Sequence, residues 1–126
     1  MATGGGFHLA ANKREWTQLR FPAPVYTIVL TVEFQWDPSK DRANRAKHGI
    51  DFVTAARVFA DPHVALVKDW IDEGGEQRWH ALGFAADIGP LLLVVHVHQE
   101  ADYGKEVIRI ISARKASKRE SRAYFQ

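Results

Sequence analysis

The chain contains no cysteine, which excludes disulfides, thiolate nucleophiles and Cys-ligated zinc at once. It also lacks any apolar run near the roughly 20 residues that a membrane-spanning helix needs. The opening stretch MATGGGFHLAANKREW has none of the charged-then-apolar order that marks a secretory signal. A cytoplasmic protein without a membrane partner is the expectation. No repeat and no low-complexity segment interrupts the chain. A strong net charge is missing too: the balance is only +2 over 126 residues, so the molecule as a whole is no polycation. What remains, 46% hydrophobic and 25% charged residues, is the composition of an ordinary globular chain. The length suits one domain with a real core and is too short for two.

The charge that is present is unevenly placed. From Lys105 to Gln126 there are seven Lys or Arg against only Glu106 and Glu120, a local balance of +5. The stretch begins with Val107, Ile108, Ile110 and Ile111, interrupted by Arg109, which predicts a strand buried on much of both faces. After Ser112 the period changes, and Ala116, Ala123, Tyr124 and Phe125 mix with basic residues in the manner of a helix. Lys115, Lys118, Arg119 and Arg122 are spaced i, i+3, i+4, i+7, one helical face that could meet a polyanion or an acidic partner. An ordinary solvated face is the alternative, but a single-sign stripe more often meets such a partner.

Upstream, residues 1–24 carry GGG at 4–6 and the pair Pro22 and Pro24, with no period. They are expected to form a poorly specified arm ahead of a single domain at 25–126. VYTIVLTVEFQW at 25–36 is rich in β-branched and aromatic residues and predicts the first strand. Asp37-Pro38 then opens a helix, since Asp accepts free backbone N–H groups at the N-cap and Pro suits the first helical position. That helix ends at Gly49. Its interior is strongly polar, with Ala43 and Ala46 as small apolar positions, so it is expected on the surface. A second helix starts at Asp51 and places Phe52, Ala55, Ala56 and Phe59 on one buried face. Strands are predicted at His63–Trp70, Arg78–Ala85, Leu91–Gln99 and Glu106–Ala113, joined by short turns that argue for antiparallel hairpins. The class is α+β: two helices early in the chain, an antiparallel sheet of four to five strands and a C-terminal helix.

Several segments together resemble the BrnT family, toxins of bacterial type II toxin–antitoxin pairs. They are FQWDPSKDRANRAKHGIDFVTAARVFADP at 34–62, RWHALG at 78–83, LLLVVHVH at 91–98 and IRIISARKASKRESRAY at 108–124. The resemblance begins at Glu33 and leaves residues 1–32 without a counterpart. It implies a compact RelE-like fold and a ribonuclease that cuts RNA without metal or cofactor, so inhibiting translation. It also implies a cognate, BrnA-like antitoxin, and a toxin–antitoxin hetero-oligomer able to bind its own operator DNA through the antitoxin.

Metal-free RNA cleavage needs stabilisation of the charge that builds on the phosphate and benefits from a proton donor for the leaving oxygen. Arginine suits the first task because its planar fork holds two phosphate oxygens. Arg78, Arg109 and Arg114, with Ser112, could converge at the sheet end. By strict alternation, however, Arg109 and Arg114 face opposite sides, and only a bulge near Ser112 would unite them. The plain alternatives are an ion pair of Arg109 with Asp37 or another carboxylate, pairing of Arg78 with the acidic loop at 72–76, and a helix-capping role for Ser112. His48 is a further catalytic candidate, with a structural alternative at a helix C-terminus. His80, His96 and His98 are acid–base candidates because imidazole titrates near neutrality. Three histidines on one sheet face could also bind a metal, but no spaced carboxylate joins them and no metal is expected. Tyr124 joins Lys115, Lys118, Arg119 and Arg122 as a candidate RNA contact, with aromatic packing as its alternative. Against the ribonuclease stands a non-catalytic nucleic-acid or partner-binding module using the basic C-terminal helix.

Overall fold

The computed structural model describes residues 31–100 and 105–126. The arm expected at 1–24, the start of the first predicted strand and most of the turn expected at 101–105 lie outside the described residues. The elements are β1 (Thr31–Gln35), α1 (Pro38–His48), α2 (Phe52–Arg57) with a 3₁₀ turn at Val58–Ala60, β2 (Ala65–Ile71), β3 (Gln77–Phe84), β4 (Leu91–Glu100), β5 (Lys105–Lys115) and α3 (Lys118–Tyr124).

The early helices start and stop on local chemistry. Asp37 accepts from the amide of Ser39 at 2.8 Å, Pro38 follows at the first turn, and Gly49 closes α1 in the left-handed region at φ 74°. Asp51 caps α2 by accepting from the amide of Thr54 at 2.8 Å. That hydrogen bond is the main cause holding the Asp51 carboxyl below its ordinary range. Phe52, Ala55, Ala56 and Phe59 are all buried, as their spacing predicts. They pack on Val32, Leu92, Val94, Ile108 and Ile110 to form the main core between the helices and one face of the sheet. Truncating either fully buried Phe to Ala would cost about 3–5 kcal/mol.

The sheet has five strands in the order β1-β5-β4-β3-β2. It is mixed, where an antiparallel sheet was expected: β1 runs parallel to β5, with Phe34 opposite Ile108 and Gln35 opposite Arg109. The cause is the connection. Two helices rather than a hairpin follow β1, so the chain re-enters the sheet at the far edge and returns beside β1 only in its last strand. For the same reason α1 and α2 lie inside the chain order rather than opening the fold. The other three pairings are antiparallel hairpins, as the short turns predict.

The helix α1 lies at the surface as expected, with Ala43 and Ala46 exposed, and the residue that seats it on the sheet is the buried Asn44. Its side-chain amide donates to the carbonyls of Ile50 at 2.9 Å and Ala113 at 2.8 Å, and its carbonyl accepts from the amide of Ala113 at 3.1 Å. Ser112 does not cap the last helix, because β5 continues to Lys115. Ser117 is the cap, in a reciprocal capping box with Glu120.

Candidate functional site

Among the described residues, the helices α1 and α2 cover one face of the sheet and leave the other largely open. Of the described elements only α3 lies on that second face, where Tyr124 and Ala116 cover Leu82, Leu91 and Leu93 at one end. Which residues occupy the open face follows from the register. His80 is opposite Val95, and Val95 is opposite Ser112. Arg109 is opposite Val97, and Arg114 is opposite Leu93. Val97, Val95 and Leu93 alternate along one side of β4, so Arg109, Ser112 and Arg114 share that side. They can do so because the pairing shifts between Val95 and His96: Ser112 pairs with Val95, Ile110 with His96, and Ile111 has no partner. This is a β-bulge at the position required to bring Arg109 and Arg114 onto one face.

Each arginine of this face is held by a carboxylate of the same chain. Arg78 donates from Nε and Nη2 to Asp72 Oδ2, both at 2.9 Å. The amide of Glu76 and then the guanidinium of Arg78 hold the Asp72 carboxyl below its usual range. Arg109 Nη2 binds Glu76 Oε1 at 2.5 Å, and Gln99 reaches Glu76 Oε2 at 3.4 Å. Arg114 makes a two-pronged contact with Glu120, 2.9 Å on each prong. With that fork as the main cause, the Glu120 carboxyl is lowered to about 2 and the Arg114 guanidinium is raised. His80 Nε2 lies 2.5 Å from Asp69 Oδ2. Arg78 thus pairs with the acidic loop, and Arg109 finds Glu76 rather than Asp37.

The remaining candidates separate from this group. His48 ends α1 on the helix-covered side, so the thickness of the sheet lies between it and the arginines. His96 and His98 also belong to the covered side, because Trp79, not His80, is the register partner of His96. The three histidines therefore do not share a face. His96 is fully buried against Phe59, with its Nε2 3.0 Å from that of His98. Burial, then the proximity of His98, pushes its imidazole well below the ordinary value. Among the described residues, no group of three or more His, Asp or Glu is placed to hold a metal ion.

The basic stripe is also redistributed. Lys115 ends β5, and only Lys118, Arg119 and Arg122 belong to α3. Tyr124 turns inward: its hydroxyl donates to Asp61 Oδ2 at 2.5 Å and its ring stands edge-on to Phe84. Burial, with Asp61 adding to it, raises the phenol above its ordinary value. Glu76, Asp69 and Glu120 were not singled out in the sequence. The signal for Glu120 was there, as Ser117 and Glu120 stand three apart in capping-box spacing. Glu76 belongs to the acidic loop at 72–76, and nothing local marks Asp69.

Among the described residues these features define a small α+β domain with a mixed five-stranded sheet, two helices on one face and an arginine-bearing second face that carries α3 at one end. The family described as "Ribonuclease toxin, BrnT, of type II toxin-antitoxin system" matches residues 36–120, about two thirds of the chain. The chain belongs to the BrnT family. No curated protein is similar enough to the chain to match it.

Proposed function

We propose that this BrnT-family chain is a metal-independent endoribonuclease toxin that inhibits translation by cutting RNA on the open face of its sheet. The observation that carries the reading is the shared placement of Arg109, Ser112 and Arg114, produced by the bulge at Ile111, on the face that Arg78 also takes by alternation with His80. A phosphate on this face would meet guanidinium forks able to take up the charge that develops as the phosphorus is attacked. RNA binding is then an exchange in which phosphate oxygens replace Glu76 on Arg109 and Asp72 on Arg78. Lys118, Arg119 and Arg122 border the face and gather RNA, or an acidic part of the antitoxin, through screened attraction.

The partners in this reading are RNA and a cognate, BrnA-like antitoxin, with operator DNA bound through the antitoxin in the joint complex. The site of action is the cytoplasm, and the working domain is 25–126 with the arm at 1–24 dispensable. Among the described residues no helix is long and apolar enough to cross a membrane. The experiment is to incubate the purified protein with bulk RNA in EDTA. Cleavage is expected. Cleavage lost on chelation and restored by added divalent ion would overturn the metal-free mechanism.

A second reading, a non-catalytic module that binds nucleic acid or a partner, is favoured by one observation. Every arginine of the face is already engaged by a carboxylate of its own chain. It predicts RNA binding without cleavage in the same experiment.

A further inference from the structure

His80 stands in the middle of the open face. Its register partners are Val67 on β2 and Val95 on β4, and Ser112 on β5 is the next position in the same row. Arg78 is two residues away along the same side of β3. The pairing of β2 with β3 shifts between Lys68 and Ile71, and this irregularity sets Asp69 outside the regular ladder, beside His80. The contact is a single short one, Nε2 to Oδ2 at 2.5 Å, and the two side chains are 27% and 26% exposed. The other ring nitrogen, Nδ1, has no partner among the described residues. Asp69 thus holds one nitrogen and leaves the other for a second molecule, on a face that carries phosphate-binding groups. A carboxylate on one side of an imidazole orients the ring, selects its tautomer and stabilises the imidazolium. The other titratable groups on the neighbouring elements are Arg78 on its own strand, the Arg109–Glu76 pair from β5 and the β2–β3 turn, and the buried His96 of β4 on the opposite face.

We propose that His80 is the general acid of RNA cleavage, with Asp69 as its positioning residue. The proposal rests on the ribonuclease reading above and adds the proton carrier that reading leaves unnamed. The bond from the ribose 2′-oxygen to phosphorus forms, and the bond from phosphorus to the 5′-oxygen breaks. The 2′-hydroxyl proton passes to solvent water. The Nδ1–H of the His80 imidazolium goes to the departing 5′-oxygen, and His80 regains a proton from water. The products are a 2′,3′-cyclic phosphate and a 5′-hydroxyl, with no co-reactant other than water.

The test is single-turnover cleavage of an oligoribonucleotide spanning a site mapped with the full chain, made once with the normal 5′-oxygen and once with a bridging 5′-sulfur. Sulfur leaves as a thiolate and needs no proton donor. His80→Gln should slow the oxygen substrate by about a hundredfold or more while cutting the sulfur substrate at nearly the parental rate. Asp69→Asn should slow the oxygen substrate and largely spare the sulfur substrate, a split that loss of packing alone does not produce. The parental protein provides an arm independent of any variant's folding: its rate should fall more in deuterium oxide with the oxygen substrate than with the sulfur substrate, because only the oxygen leaving group takes up a proton. Equal slowing of both substrates by His80→Gln, or no slowing, would overturn the assignment while leaving the ribonuclease reading intact. A parental chain that cuts no RNA would overturn both.

Discussion

Asn44 holds Ala113 by both its amide and its carbonyl, at 2.8 and 3.1 Å. β1 pairs with β5 only as far as Gln35 opposite Arg109, so Ala113 lies beyond the end of the neighbouring strand. The carboxamide of Asn44, with one donor and one acceptor aimed at a single residue, stands in for the missing strand just past the bulge that aligns Arg109 with Arg114. A helix side chain on the covered face thereby braces the backbone of the open one.

Asn44→Ala should therefore destabilise the fold by about 3 kcal/mol, since buried backbone groups of Ala113 and Ile50 lose their partner. Asn44→Asp should be at least as harmful at neutral pH. It keeps the size and the acceptor but sets a carboxylate against two carbonyls in a buried place. Denaturant unfolding of the two variants checks both; an Asn44→Asp variant as stable as the parent would show that the clamp does not bear on stability.

Arg114 and Lys118 should separate chemistry from attraction. Arg114→Ala is expected to lower the cleavage rate about a hundredfold or more, with RNA affinity only modestly changed. Lys118→Ala should weaken binding at low salt and leave the chemical step nearly intact. Single-turnover rates at saturating enzyme, on variants first shown to be folded, decide it. The opposite pattern would mean that the two roles are assigned backwards.

The same arginine gives a pH signature. Glu120 is lowered from 4.5 to about 2 in the folded chain by the Arg114 fork. A depressed carboxyl binds its proton more readily when unfolded. The stabilisation is therefore complete above about 4.5 and is lost as pH falls from there through about 2. Because the pair is partly exposed, the effect should be roughly 1 kcal/mol. Unfolding free energies of the parent and Glu120→Gln, measured above and below this window, should converge at the acid end.

Gly83 is required by close approach rather than by backbone angle. A Cβ there would sit 2.9 Å from Val58 Cγ1 and 3.2 Å from the Val58 carbonyl oxygen. Gly83→Ala should push the 3₁₀ turn off β3 and destabilise by about 1–3 kcal/mol. A melting temperature equal to that of the parent would show that the turn yields freely.

The sequence by itself determined whatever a few adjacent residues can decide. Asp37-Pro38 and Gly49 bound α1, Asp51 opens α2, the spacing of Phe52 to Phe59 fixes the buried face, and short polar turns make the hairpins. Each depends on hydrogen bonds or periodicity within about a turn of chain. The start of α3 at Ser117 was equally local, in the Ser117–Glu120 box, but Ser112 offered the same residue type five positions earlier. Only the tertiary structure decided the rest. β1 lies parallel to β5 because two packed helices, not a turn, determine where the chain returns. The extra residue at Ile111 is visible only against the register of β4, and it reverses which side every later residue of the strand faces. Asn44 and Glu76 acquire partners from elements distant in sequence, and Asp69 from the next strand across a hairpin, since an ion pair or a buried amide depends on separation in space. The alternation along one strand could not place Arg109 with Arg114; the neighbouring strand could.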